Sequence, residues 1–231
     1  MKKDFLTKIA KIAIVLTVLF NVSCSNDDDN DETQYIGPFN GSVDSVENIY
    51  TPETVQALNN LDFTIYTGNT PPSVEGTFEV SPMMLINSTV PGDVIPTFFP
   101  NYVFTLTNQN NNDLTIDFEG QHLDGSQQDS GDGTYISGQG NNFTVYLNLT
   151  SLIGQYPAQT AFVISGQKTT EGIANLQIAA LMVDNGGNIE DEYIPNNTGR
   201  VLVDFDELAE EIEIVNETSR ATSNGKSLFK K

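Results

Sequence analysis

Four stretches of this chain alternate apolar and polar residues with a period of two, and no other feature narrows its folds as much. In VEGTFEV (residues 74–80), Val74, Gly76, Phe78 and Val80 fall on one side and Glu75, Thr77 and Glu79 on the other. YVFTLTN (102–108) sets Tyr102, Phe104 and Leu106 against Val103, Thr105 and Thr107. LTIDFEG (114–120) sets Leu114, Ile116 and Phe118 against Thr115, Asp117 and Glu119, and FTVYLNL (143–149) aligns Phe143, Val145, Leu147 and Leu149. Successive side chains of an extended strand point to opposite faces, so each stretch predicts a strand with one buried and one solvated face.

Other runs extend the pattern. FVISG (162–166) and the more continuously apolar GIANLQIAALMV (172–183) flank a QKTTE turn, and the second reads as the central strand. GRVLVDFD (199–206) reads as a late strand, with FTIY (63–66) and TYIS (134–137) as shorter candidates. Clusters of Gly, Asn, Asp and Pro separate the runs at roughly the 8–12-residue intervals of sandwiches and barrels. The densest of them, GNTPPSVEG (68–76), reads as a turn that aims the next strand, or as a rigid rim loop.

TPETVQALNNL predicts one short N-terminal helix. Thr51 caps it, Pro52 takes the first position, Glu53 faces the positive end of the dipole, and Val55, Leu58 and Leu61 share a face. That face is expected to plug an end or side of the sheet. ELAEEIEIV, after Asp206, fits either a helix or a strand. The expected class is all-β: an antiparallel meander of about 8–10 strands, closed as a barrel, with a β-sandwich as the alternative. Sequential hairpins with a helix plug resemble the lipocalin barrels in architecture. The lipocalin Gly-x-Trp has no counterpart here, because the chain contains no tryptophan.

The N-terminus follows a different logic. Lys2, Lys3, Lys8 and Lys11 precede an apolar run of nine residues, IAIVLTVLF (12–20). At about 1.5 Å per helical residue this falls well short of a hydrocarbon core of about 30 Å, so residues 1–23 read as a secretory signal. Cys24 is the only cysteine in 231 residues, which excludes an intrachain disulfide. A lone exposed thiol is also a liability in an exported protein. VSC (22–24) resembles the end of a bacterial lipobox, with Asn21 where leucine is usual. The resemblance implies that Cys24 is diacylated on sulfur and becomes the acylated N-terminus, an anchor to the membrane that two or three chains make effectively permanent.

The acids that follow, SNDDDNDE (25–32), read as a solvated tether. Ser25, Asp27, Asp28 and Asp29 also resemble the surface-export signal of Bacteroidota lipoproteins, which implies display on the outer face of the outer membrane. Residues 24–34 are thus expected to form acylated cysteine and tether, 35–215 a single β domain, and 216–231 a disordered tail. The order from TPETVQALNNLDFTIYTGNTPPSVEGTF through FVISGQKTTEGI to GRVLVDFD likewise resembles Bacteroidota lipoproteins, a likeness that brings no activity with it.

Charge excludes some functions. The chain carries 10 basic and 31 acidic residues; loss of residues 1–23 removes four lysines and one aspartate, leaving 6 against 30, a net charge of −24. Nucleic-acid binding, which needs basic patches, is excluded. Crowded carboxylates suit calcium, the one cofactor candidate. Asp124, Asp129 and Asp132 in HLDGSQQDSGDG (122–133) are the candidate ligands, with a flexible hairpin tip as the structural reading, and DNGGNIEDE (184–192) is similar. Asp44-Ser45-Val46 resembles the Bacteroidota O-glycosylation pattern, which makes Ser45 a candidate acceptor.

Catalytic signals are thin. His122 is the single histidine, and no GxSxG elbow, HExxH helix or phosphate-cradling glycine motif is present. The expectation is therefore a non-enzymatic lipoprotein whose β domain binds a small hydrophobic molecule or a glycan. Phe78, Phe104, Phe118 and Phe143 would line its cavity. The alternatives are an accessory protein that recognises another surface protein and, third, an enzyme acting on polysaccharide through paired carboxylates.

Overall fold

In the computed structural model, residues 38–124, 127–153, 156–189, 191–213 and 227–231 are described. Two helices, α1 (Val43–Val46) and α2 (Pro52–Asn60), precede β1 (Asn69–Thr70), β2 (Gly76–Val80), β3 (Met83–Ser88), β4 (Thr97–Phe99) and β5 (Tyr102–Asn110). There follow β6 (Thr115–His122), β7 (Gln128–Gln139), β8 (Asn142–Ile153), β9 (Tyr156–Lys168), β10 (Gly172–Asp184), β11 (Gly199–Asp204) and β12 (Leu208–Glu211).

Register reduces these segments to a simple figure. Val80↔Tyr102 in the β2–β5 ladder and Met83↔Phe99 in the β3–β4 ladder keep one register, so β2 continues into β3, and β4 into β5, as two long strands. β11 and β12 likewise pair in turn with the two halves of β10, and with β3 and β2. The result is an antiparallel meander of eight long strands, closed where β12 and β11 meet β2 and β3. Closure leaves the meander without a long free edge and removes the sandwich alternative.

The alternating sets point where the period-two pattern predicts. Phe78, Val80, Tyr102, Phe104, Leu106, Ile116, Phe118, Phe143, Val145 and Leu147 all lie inside the barrel, at most 1 % exposed. β10 is apolar throughout because both of its faces are covered. Ile178, Ala180 and Met182 face the interior, while Ala179 and Leu181 join a second core on the outside.

That second core locates the helices. Leu58 and Leu61 of the predicted face are fully buried, and Val55 nearly so, together with Val46, Tyr50 and Phe63. They pack on the outer face of β8–β11, against Tyr146, Ala161, Val163, Ala179, Leu181 and Val201. The helical face therefore covers a side of the barrel and leaves its ends open to other elements. Thr51 caps α2 by accepting from the Thr54 amide (3.3 Å), and the Tyr50 hydroxyl donates to the Leu147 carbonyl (2.9 Å).

Three expectations are corrected, and one open alternative is resolved. FTIY forms no strand, because its backbone groups bond to side chains of the wall: the Thr64 amide to Gln177, the Tyr66 amide to Thr144, and the Tyr66 carbonyl to Ser137. The ambiguous segment after Asp206 forms β12, since its backbone closes the barrel. HLDGSQQDSGDG is a tip only in part, because β7 begins at Gln128. Finally, the tail is not free to its end. Leu228 and Phe229 are buried in the barrel core, and the Ile194 amide donates to the Phe229 carbonyl (3.1 Å).

Candidate functional site

The four candidate lining residues, Phe78, Phe104, Phe118 and Phe143, sit on four different strands and all point inward. Their rings pack on one another or on neighbours. Centroid separations are 5.4 Å for Phe78–Phe104, 6.1 Å for Phe104–Phe118 and 5.8 Å for Phe118–Phe162, and Tyr102 joins Phe162 at 5.9 Å. These are contact distances for aromatic pairs. The rings form a stack through the middle of the barrel and present no face to solvent.

In an up-and-down meander alternate turns share an end. The connections after β3, β6, β8 and β10 lie at one end, here termed the mouth. The C-terminal residues close it. Arg200, inside the barrel and fully buried, donates from Nη1 to the carbonyls of Leu228 (2.6 Å) and Lys230 (2.9 Å). Its Nε and Nη2 form a two-pronged pair with Asp93 at 2.6 and 2.9 Å, and its guanidinium lies 5.5 Å from the Phe99 ring centre. A buried guanidinium needs such a full set of acceptors, because an unpaired one is costly.

Gln127 holds the other side of the tail. Its Oε1 accepts from the Ser227 hydroxyl and the Leu228 amide, both at 2.9 Å, and its Nε2 donates to Asp129 (2.7 Å). Asp129 also accepts from the Tyr102 hydroxyl (2.7 Å). Burial raises the Asp129 carboxyl above the usual range, and these two donors only partly offset it. Lys230 pairs with Glu192 at 2.9 Å, and Lys231 pairs with Asp191. Two acids of DNGGNIEDE, Asp191 and Glu192, thus meet ammonium groups of the same chain.

The remaining candidates are spread apart. Asp129 points into the barrel and is engaged by Tyr102 and Gln127, Asp124 follows the end of β6, and the side chain of Asp132 lies outside the described set. Among the described residues, no group of three or more His, Cys, Asp or Glu is placed to hold a metal. His122 is buried beside Tyr102 (5.1 Å between ring centres), and its Nδ1 donates to the Pro100 carbonyl (2.9 Å). Its Nε2 is buried without a hydrogen-bond partner, and burial lowers its pKa. Ser45 is fully buried, and its hydroxyl donates to the Ser42 carbonyl (2.8 Å). Cys24, Ser25, Asp27, Asp28 and Asp29 lie outside the described residues. Among those described, no helix is long and apolar enough to cross a membrane.

Two features lie on the outer surface. A groove of about 530 Å³ crosses β5, β6 and β7, lined by Val103, Thr105, Glu119, Gln121, Gln128 and Ser130. Register sets these residues in two rows, Thr105–Glu119–Ser130 and Val103–Gln121–Gln128. Hydroxyl, amide and carboxylate groups in such rows can donate to and accept from a hydroxyl-rich ligand. Asp129, across the sheet, points the other way from Glu119, so the two carboxyls do not converge. The second feature is apolar: Phe98 and Phe205, each 56 % exposed, pack edge to face at 5.8 Å beside Ile86, with Val94 and Ile95 on the adjoining loop.

Arg200, Gln127, Leu228 and Phe229 have no place among the sequence-predicted sites. One signal was present. Of the six basic residues beyond Cys24, four (Arg220, Lys226, Lys230 and Lys231) fall in the last twelve positions, which hold no acid. No family model, no curated protein and no solved structure matches the chain, so its function is argued from geometry.

Proposed function

We propose that this chain is a lipid-anchored, surface-displayed and non-enzymatic binding protein that recognises its ligand on the outside of the barrel. The observation that supports this reading is the aromatic stack inside the barrel, closed at the mouth by the chain's own Leu228 and Phe229. An interior ligand would have to displace both. The polar groove of β5–β7 suits a glycan, since its two rows offer hydrogen bonds rather than an apolar lining. The anchor is Cys24, and the acids Asp27, Asp28 and Asp29 direct export to the surface.

The test has two arms. Replacing Cys24 with Ala releases the protein from membranes, whereas changing Asp27, Asp28 and Asp29 to Ala keeps it bound but shields it from protease on intact cells. On an array of immobilised glycans, Glu119→Ala combined with Gln121→Ala lowers binding at least tenfold. A small apolar molecule retained in native mass spectra of protein from its own cells would overturn the outer-surface reading. The exposed Phe98–Phe205 pair favours a second reading, a protein partner on that face, since exposed aromatic clusters mark interaction surfaces.

A further inference from the structure

Charge is unevenly distributed in the groove on β5–β7. Register places Glu119 between Thr105 and Ser130, and in the adjoining row it places Gln121 between Val103 and Gln128. Strands lie about 5 Å apart and residues on one face about 7 Å apart, so the two rows cover about 10 by 7 Å, the footprint of a disaccharide. Asp129 borders the groove but turns its carboxyl into the barrel, toward Tyr102 and Gln127. Glu119 is left as the one charged side chain that the groove presents outward.

That carboxylate is exposed and, among the described residues, meets neither a hydrogen-bond donor nor a cation. The four described basic residues are engaged elsewhere. Lys168 bonds to Glu211 (2.6 Å), Arg200 pairs with Asp93 inside the barrel, and Lys230 and Lys231 pair with Glu192 and Asp191 at the mouth. The nearest charges on the same sheet face deepen the imbalance. Asp117 precedes Glu119 by two positions on β6, and Glu79 stands opposite Val103.

Desolvation turns this imbalance into selectivity. A sugar laid across the groove strips water from Glu119, and a carboxylate that loses water without gaining a partner is costly. A neutral hydroxyl replaces that water only in part. An ammonium brings three donors and a positive charge, and such a charge-assisted bond is roughly twice as strong as a neutral one. An acetylated nitrogen keeps one donor and no charge, and a uronic acid sets a second carboxylate against the first. The side chains of Thr105, Ser130, Gln121 and Gln128 both donate and accept, which suits the ring hydroxyls.

We infer that the groove selects glycans carrying a free amino group, whose ammonium pairs with Glu119 while the hydroxyls bond to Thr105, Ser130, Gln121 and Gln128. This rests on the outer-surface glycan reading and names the class of sugar within it.

Titration calorimetry of the full chain tests the selectivity, with glucosamine, N-acetylglucosamine and glucuronic acid oligosaccharides of equal length as probes. The glucosamine oligosaccharide is expected to bind about tenfold more tightly than its acetylated form, and the acidic one not to bind. Glu119→Gln, which keeps the shape and removes the charge, should bring the amine and its acetylated form to parity. Glu171→Gln removes an equal charge from the β9–β10 turn, outside the groove, and should leave the preference intact. Acetylated or acidic sugar bound at least as tightly as the amine, and lost with Glu119→Ala plus Gln121→Ala, overturns this inference while the outer-surface reading stands. An amine preference that survives Glu119→Gln, or falls equally with Glu171→Gln, comes from the general charge of the chain and also overturns it. Absence of binding by all three probes overturns it as well, and the array of immobilised glycans then tests the wider reading.

Discussion

A Cβ at Gly120 would stand 2.2 Å from the Tyr102 hydroxyl and 2.7 Å from the Phe118 ring. The missing side chain is what allows that hydroxyl to lie over β6 and reach Asp129 on the paired strand. From there the bonds run through Gln127 to the Ser227 hydroxyl and the Leu228 amide, so one glycine lies at the start of a buried chain that ends on the C-terminal segment. Gly120→Ala is expected to displace Tyr102 and cost about 1–3 kcal/mol, the usual penalty for overfilling a packed interior. Urea unfolding measures it. Combined with Tyr102→Phe the loss should be less than the sum of the two single changes, because both act on one contact network.

At the scale of elements, α2 is held by its neighbours rather than by its own nine residues, since an isolated helix of this length is marginal in water. Leu58, fully buried against the outer faces of β8–β11, is its main anchor. Leu58→Ala should cost about 2–5 kcal/mol, read as a lower urea midpoint with an unchanged slope. This helix was legible in the sequence, because Thr51, Pro52 and the Val55–Leu58–Leu61 face are local signals. The strands β2, β5, β6 and β8 were legible for the same reason, although the face of β8 expected to be solvated is largely covered, with Thr144 and Tyr146 buried and Tyr146 part of the second core. β3 was not: Met84 and Ile86 are apolar on its outer side, as Met83 and Leu85 are on its inner side, so no alternation shows. β4 has only three residues, too few for a period. The side of the barrel on which α2 sits is set by Tyr146, Ala161, Val163, Ala179, Leu181 and Val201, and Leu228 bonds to Arg200 and Gln127 at 28 and 101 positions' separation, so no window of sequence brings those partners together.

For the whole molecule, pH should act through a few buried groups whose signs oppose one another. Asp204 lies where β11 gives way to β12, and its carboxylate accepts from the Ser81 amide (2.8 Å). Burial, followed by hydrogen bonding with Asp206, pushes its pKa up to about 6. The folded chain therefore binds this proton more tightly than the unfolded chain, whose carboxylate titrates near 4. Its contribution to stability is complete below about pH 4 and is lost as pH rises through about 6. Asp129, also raised by burial, acts in the same direction. His122 acts in the other: burial keeps it neutral, so the unfolded chain gains a proton below about pH 6.5 that the folded chain does not. Two carboxyls against one imidazole predict a melting temperature that rises from pH 7.5 to pH 5. Asp204→Asn should flatten that rise while raising the melting temperature at pH 7.5. After allowance for solvent screening the effect is on the order of 1 kcal/mol, or about 2–4 °C for a chain of this size. Calorimetric scans of both proteins across that range check it, and an equal rise in the two would remove Asp204 as a source of the pH dependence.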